Sequence, residues 1–156
     1  MVNNIISGKN TYSFPSQNFI NIERKNIYKL QKFDYFFYKK NTVETKRALL
    51  YLFIDSSARN TAVVILKNFT IIKIDDIFCL DEYYNGSVFE ISYTENEIII
   101  YDTFIIGGYN KNKSTFIERI HEVKSFKHNT LTKNLIINTT EYTDTLNFEV
   151  SDDEEI

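Results

Sequence analysis

Cysteine is almost missing from this chain of 156 residues: Cys79 stands alone. That excludes a disulfide framework and a cysteine-rich zinc site. Only two histidines, His121 and His128, are present, which leaves little for a metal centre. One proline and four glycines exclude collagen-like and linker-rich classes. Long apolar runs are missing too: no stretch approaches the ~18 residues that a membrane span needs. The first ten residues are polar and lack the apolar centre of a signal peptide. These absences predict a globular protein kept in a reducing cytoplasm, with no membrane partner, no metal and no cofactor.

What is present is a large apolar and aromatic content. Hydrophobic residues make up 43% and aromatics 15%, with 13 Phe and 11 Tyr, which excludes a disordered chain. A chain of this length buries roughly 68–70% of its extended surface, enough for a core without staples. The expected organisation is one globular domain over residues 1–140, followed by an acidic segment over 141–156 that is disordered from about residue 151. The 22 Ile and 17 Asn, with abundant Lys, Tyr and Phe, are residues of AT-rich codons and suggest an AT-rich viral or plasmid-like source.

The net charge of −3 hides a segregation. Residues 141–156 hold seven carboxylates and no Lys or Arg, whereas the other 140 residues hold 18 basic and 14 acidic side chains. The end of the chain, with Asp152, Asp153, Glu154 and Glu155 before a terminal Ile156, resembles the acidic tail of single-strand-binding proteins. Such a tail mimics the charge density of a phosphate backbone and can occupy a basic groove. Arg24 to Arg47 is the densest basic stretch, and Tyr28, Phe33, Tyr35, Phe36, Phe37 and Tyr38 are threaded through it. Cations beside flat rings suit single-stranded nucleic acid, because cations follow the phosphates while bases stack on the rings. The candidate binding residues are Lys29, Lys32, Tyr35, Phe37, Lys39, Lys40, Lys46 and Arg47. The competing reading of Phe33 to Tyr38 is a buried strand.

Apolar patterning predicts strands over 19–22, 32–39, 47–54, 62–66, 69–74, 87–93, 97–106, 131–139 and 145–150. Hairpin turns are expected at Lys67-Asn68 and at Thr94-Glu95-Asn96, a loop over Asp81 to Asn85, and a long polar loop opening at Gly107-Gly108. Thr115 with Glu118 fits a capping box, and Phe116, Ile120 and Val123 then share one face of a helix, with Ile117 beside them. The fold class expected is α+β, β-rich, with a mostly antiparallel sheet and one or two helices; an OB-fold barrel is the alternative.

Recognisable catalytic motifs are missing. No P-loop, dinucleotide fingerprint or Gly-x-Ser-x-Gly elbow occurs. Cys79, between Phe78 and Leu80, reads as a core residue, His121 as a surface residue, and Asp75-Asp76 and Asp81-Glu82 as solvated turns.

Three segments carry a resemblance: Gly86-Ser-Val-Phe-Glu90-Ile-Ser92, then Ile98-Ile-Ile-Tyr101-Asp102, then Phe116-Ile-Glu118-Arg119-Ile120, with Arg47-Ala-Leu-Leu-Tyr upstream. Their order resembles the middle of the covalent nucleotidyltransferases, the superfamily of mRNA guanylyltransferases and ATP-dependent ligases. The resemblance implies a nucleotidyltransferase-like domain without catalysis. Aligned on Arg47, Thr42 stands at the family's nucleophilic lysine, Glu44 at its Asp and Thr45 at its Gly. A threonine cannot form the lysyl phosphoramidate. Glu90, Ile91 and Ser92 replace the later Asp-Gly-Glu.

The function expected is therefore non-catalytic binding of single-stranded DNA, or RNA, in replication, with replication proteins recruited through the acidic tail. Self-association is an open alternative. The rival readings are an interaction subunit of a viral transcription or replication machine, and a cap- or nucleotide-binding module.

Overall fold

The structure, a computed structural model, describes residues 46–142. Residues 46–140 fall within one compact unit. The described residues form a mixed α+β fold with one seven-stranded sheet, mostly antiparallel, and one α-helix.

Strand β1 (Lys46–Ile54) lies at the centre, with the sequence KRALLYLFI apolar on both parities. Such a strand is stable only where both faces are covered, and Ala48 to Leu52 are all buried. Strands β2 (Asn60–Leu66) and β4 (Ser87–Tyr93) pair antiparallel on its two sides, so that Leu50 lies between Val64 and Phe89. Beyond β2 comes the short β3 (Ile71–Ile74). Beyond β4 comes β5 (Glu97–Ile106), whose register with β4 shifts twice. Strand β6 (Tyr109–Asn110) continues the order past the end of β5. The tight β5–β6 connection is made by Gly107 and Gly108, both at positive φ (+55° and +86°), so that the pair turns the chain at once and does not open a long loop. Asp81–Asn85 is a short 3-10 turn where a loop was expected.

Helix α1 (Phe116–His128) starts as its sequence predicts. The Thr115 hydroxyl accepts from the Glu118 N–H at 3.2 Å, and the Glu118 carboxylate accepts from the Thr115 N–H at 2.8 Å. The buried face differs from the expected one. Val123 and Phe126 enter the core, whereas Ile120 is only half-buried and Ile117 is 67% exposed. Phe126 stacks on Phe89 with ring centroids 4.4 Å apart and meets the edge of Tyr83 at 5.0 Å. These rings join Ala48, Leu50, Leu52, Ile91 and Ile100 in the larger core. On the other side of the sheet, Leu49, Tyr51, Val63, Ile65 and Val88 form a second buried cluster.

The chain then returns to the sheet as β7 (Ile136–Thr139), which pairs parallel with β5. The expected late strand over 131–139 is thus shorter, and the sheet holds one parallel pair among antiparallel ones. The cause is the intervening helix: its 13 residues advance about 20 Å and carry the chain back to the end of β5 where that strand began. The expected strands at 19–22, 32–39 and 145–150 lie outside the described residues.

Candidate functional site

Two arrangements of polar side chains stand out among the described residues. The first is a charged cluster across β1, β4, β5 and α1. Glu90, on β4, is wholly buried, and the Arg47 guanidinium donates from Nη2 to its Oε1. The cross-strand register places Glu90 opposite Leu49 on one side and opposite Asp102 on the other. Asp102 is also buried and is gripped by Arg119 from α1: Nε to Oδ1 at 2.9 Å and Nη2 to Oδ2 at 3.2 Å. The third guanidinium nitrogen of Arg119 donates to the Ser114 carbonyl at 2.9 Å. Tyr101 lies beside the Arg47 guanidinium, 5.8 Å from ring centre to carbon, and its hydroxyl oxygen accepts from Ser92 at 2.9 Å.

Burying an ionised carboxylate is costly unless the charge is paired and hydrogen-bonded. One arginine on each carboxylate offsets that cost. The planar fork of Arg119 also sets the angle of α1 over the sheet, because two parallel hydrogen bonds fix orientation as well as distance. The cluster therefore orients and holds its elements. Arg47, Glu90, Asp102 and Arg119, at distant points of the sequence, come together in it.

The second arrangement is a cleft of about 340 Å³ at the end of β2 and β3, lined by Arg59, Asn60, Lys73, Phe78, Cys79 and Tyr84 among others. Its Phe78 wall is held firmly. The Phe78 N–H and carbonyl exchange hydrogen bonds of 2.9 and 2.8 Å with Leu131. The Asp76 carboxylate accepts the N–H groups of Lys133, Asn134 and Leu135 at 2.7–2.8 Å. Those backbone donors, foremost that of Leu135, hold the Asp76 carboxyl below its ordinary value. Asp55 is held low in the same way, first by the Arg59 N–H. Both carboxylates thus shape the loops around the cleft. Tyr84 donates to the Ile77 carbonyl at 3.2 Å, and burial pushes its phenol upward. Burial likewise raises the Cys79 thiol, which keeps it protonated and a poor nucleophile at neutral pH. Cys79 is half-buried against the core and lines the cleft; it is not the interior residue that its apolar neighbours suggest.

Of the sequence-predicted binding residues, Lys46 is exposed at the start of β1, and Arg47 is paired with Glu90. Lys29, Lys32, Tyr35, Phe37, Lys39 and Lys40 lie outside the described residues, as do Asp152, Asp153, Glu154 and Glu155. Residues 46–142 carry 11 Lys and Arg against 12 Asp and Glu. Arg47, Arg59, Lys73, Lys111 and Arg119 are in ion pairs. The positive excess of the chain lies instead in residues 1–45, with seven basic and three acidic side chains. No described helix is long and apolar enough to cross a membrane, and no metal-binding group of His, Cys, Asp and Glu occurs among the described residues. No protein-family model matches the chain, and no curated protein matches it in sequence.

Proposed function

We propose that the chain is a non-catalytic single-stranded nucleic-acid-binding protein acting in replication. The observation that carries this reading is the partition of charge. The sheet-and-helix body is almost neutral, and its Arg47 and Arg119 are paired with buried carboxylates, while unbalanced positive charge and interleaved rings are concentrated between Arg24 and Lys46. A phosphate backbone is drawn to a local excess of cations over carboxylates, and bases add stacking on the rings. The acidic end, Asp152 to Glu155, competes for the same cations and offers a docking segment for replication proteins.

The test is fluorescence anisotropy with a labelled single strand of DNA, the matching RNA and the duplex, at several salt concentrations. If Lys29, Lys32, Lys39, Lys40 and Lys46 each neutralise one phosphate, log affinity falls against log salt with a slope of about −3.5, from roughly −0.7 per contact on a single strand. Deleting residues 151–156 tightens binding. Absence of binding to any strand, with and without those residues, refutes the proposal.

A further inference from the structure

We infer that the cleft beside β3 receives one nucleobase, stacked on Phe78 and read at its edge by Asn60. This rests on the single-strand reading, and it names a place for one base beyond those that stack on the rings of the basic stretch. The volume, about 340 Å³, is at the lower end of small-ligand sites and suits a single ring system. Phe78 offers a flat face that is 52% exposed on backbone fixed by the Leu131 bridge. A large apolar ring left half in water on a rigid support is what a stacking platform requires.

Asn60 provides the edge. Its amide nitrogen donates to the Asp81 carboxylate at 3.0 Å, which fixes the amide's orientation because a carboxylate can only accept. The carbonyl oxygen and the second amide hydrogen remain to pair with an adjacent donor and acceptor, the pattern on the edge of adenine. The cations at the rim, Arg59 and Lys73, are side chains 71% and 61% exposed, and Lys73 is only loosely paired with Asp75 at 3.6 Å. Asp55, Asp75 and Asp81 offset both of them, so the cleft selects a neutral ring and leaves phosphate attraction to the basic stretch.

The experiment compares three probes on the full chain: a labelled oligoadenylate, a strand of equal length with abasic sites, and free adenosine monophosphate. Wild type should prefer the strand with bases. Phe78→Ala should weaken binding to that strand roughly 5- to 150-fold, the equivalent of one lost base stack, while leaving the abasic strand and the salt slope unchanged. Phe78→Trp should preserve the preference, and Asn60→Ala should reduce it. Because Phe78 is half exposed, thermal unfolding should confirm that these variants fold. If Phe78→Ala and Asn60→Ala leave the ratio of base-bearing to abasic binding within twofold of wild type, the cleft assignment is overturned while the single-strand reading stands. If the monophosphate binds in a Phe78-dependent way and neither strand binds, the cleft assignment holds and the single-strand reading falls.

Discussion

Replacing Arg119 by methionine should cost the body of the protein about 3 kcal/mol of stability. The side chain makes three hydrogen bonds, two to Asp102 and one to the Ser114 carbonyl. Asp102 is only 2% exposed, so water cannot take over from the guanidinium without opening the structure. Removing one partner of a buried ion pair typically costs roughly 3–5 kcal/mol, because a desolvated charge is left behind. Arg119 itself is 20% exposed, and the Thr103 N–H at 2.8 Å still supports Asp102, so the lower end of that range applies. Methionine gives up the guanidinium's place over the Phe116 ring but keeps much of the side-chain volume, so lost packing adds little.

Equilibrium unfolding in urea, followed by tyrosine fluorescence and far-UV dichroism, measures the loss directly. The midpoint should fall with an unchanged slope, since the surface exposed on unfolding is the same. The melting temperature should drop by roughly 6–12 °C, taking about 2–4 °C per kcal/mol for a chain of this length. Arg119→Lys should recover part of the loss, because an ammonium keeps the charge and gives up the two-pronged geometry. A methionine variant within about 1 kcal/mol of wild type would show that the clamp does not hold α1, and the reasoning would fail.

Phe126→Ala, which empties a fully buried site between Phe89 and Tyr83, should cost about 3–5 kcal/mol in the same titration. Thr115→Ala removes the hydroxyl of the capping box and should cost about 1 kcal/mol, with Thr115→Asn close to wild type. Asp76 is held below its ordinary value in the folded state, so its stabilising effect is present above the unfolded value near 3.8 and is lost as pH falls through the lower folded value. Stability measured between pH 5 and pH 2.5 should therefore decline, and Asp76→Asn should flatten that decline.

Several elements are legible in the sequence because their signals are local. Strands β4 and β5 have the expected limits, since Gly86 and the Thr94-Glu95-Asn96 turn bracket apolar runs of the right length. The start of α1 is legible from a hydroxyl and a carboxylate three residues apart. The features that escape are non-local. Phe69 continues an apolar run but takes a positive φ of 64° in the β2–β3 turn, so β3 begins only at Ile71. The parallel direction of β7 follows from where α1 delivers the chain, which no pattern within residues 136–139 encodes. Phe126 lies one turn beyond the last apolar position that the periodicity marked, yet it fills the space under Phe89. The cleft is assembled from residues 59–62, 73–75, 77–79 and 84, and no short motif joins them. Its one local sign was an aromatic residue next to the single cysteine.

Lys46 and Arg47 show how folding charge and binding charge separate at a single peptide bond. Both belong to the basic stretch by sequence, but successive side chains of a strand point to opposite faces. Lys46 is opposite Tyr93 and exposed; Arg47 is opposite Ser92 and bound to Glu90, 43 residues away. A loss of nucleic-acid binding in an Arg47 variant would therefore report the collapse of the buried pair as readily as the loss of a phosphate contact. Lys46→Ala is the clean probe: stability should stay within about 0.5 kcal/mol, as for most surface positions, while the salt slope becomes shallower by about 0.7. Arg47→Ala should show the reverse order of effects, with unfolding shifted first and any change in affinity following the folded fraction. If Lys46→Ala alters stability and leaves the slope untouched, the charge at the start of β1 belongs to the fold, and the binding face must be sought elsewhere in the chain.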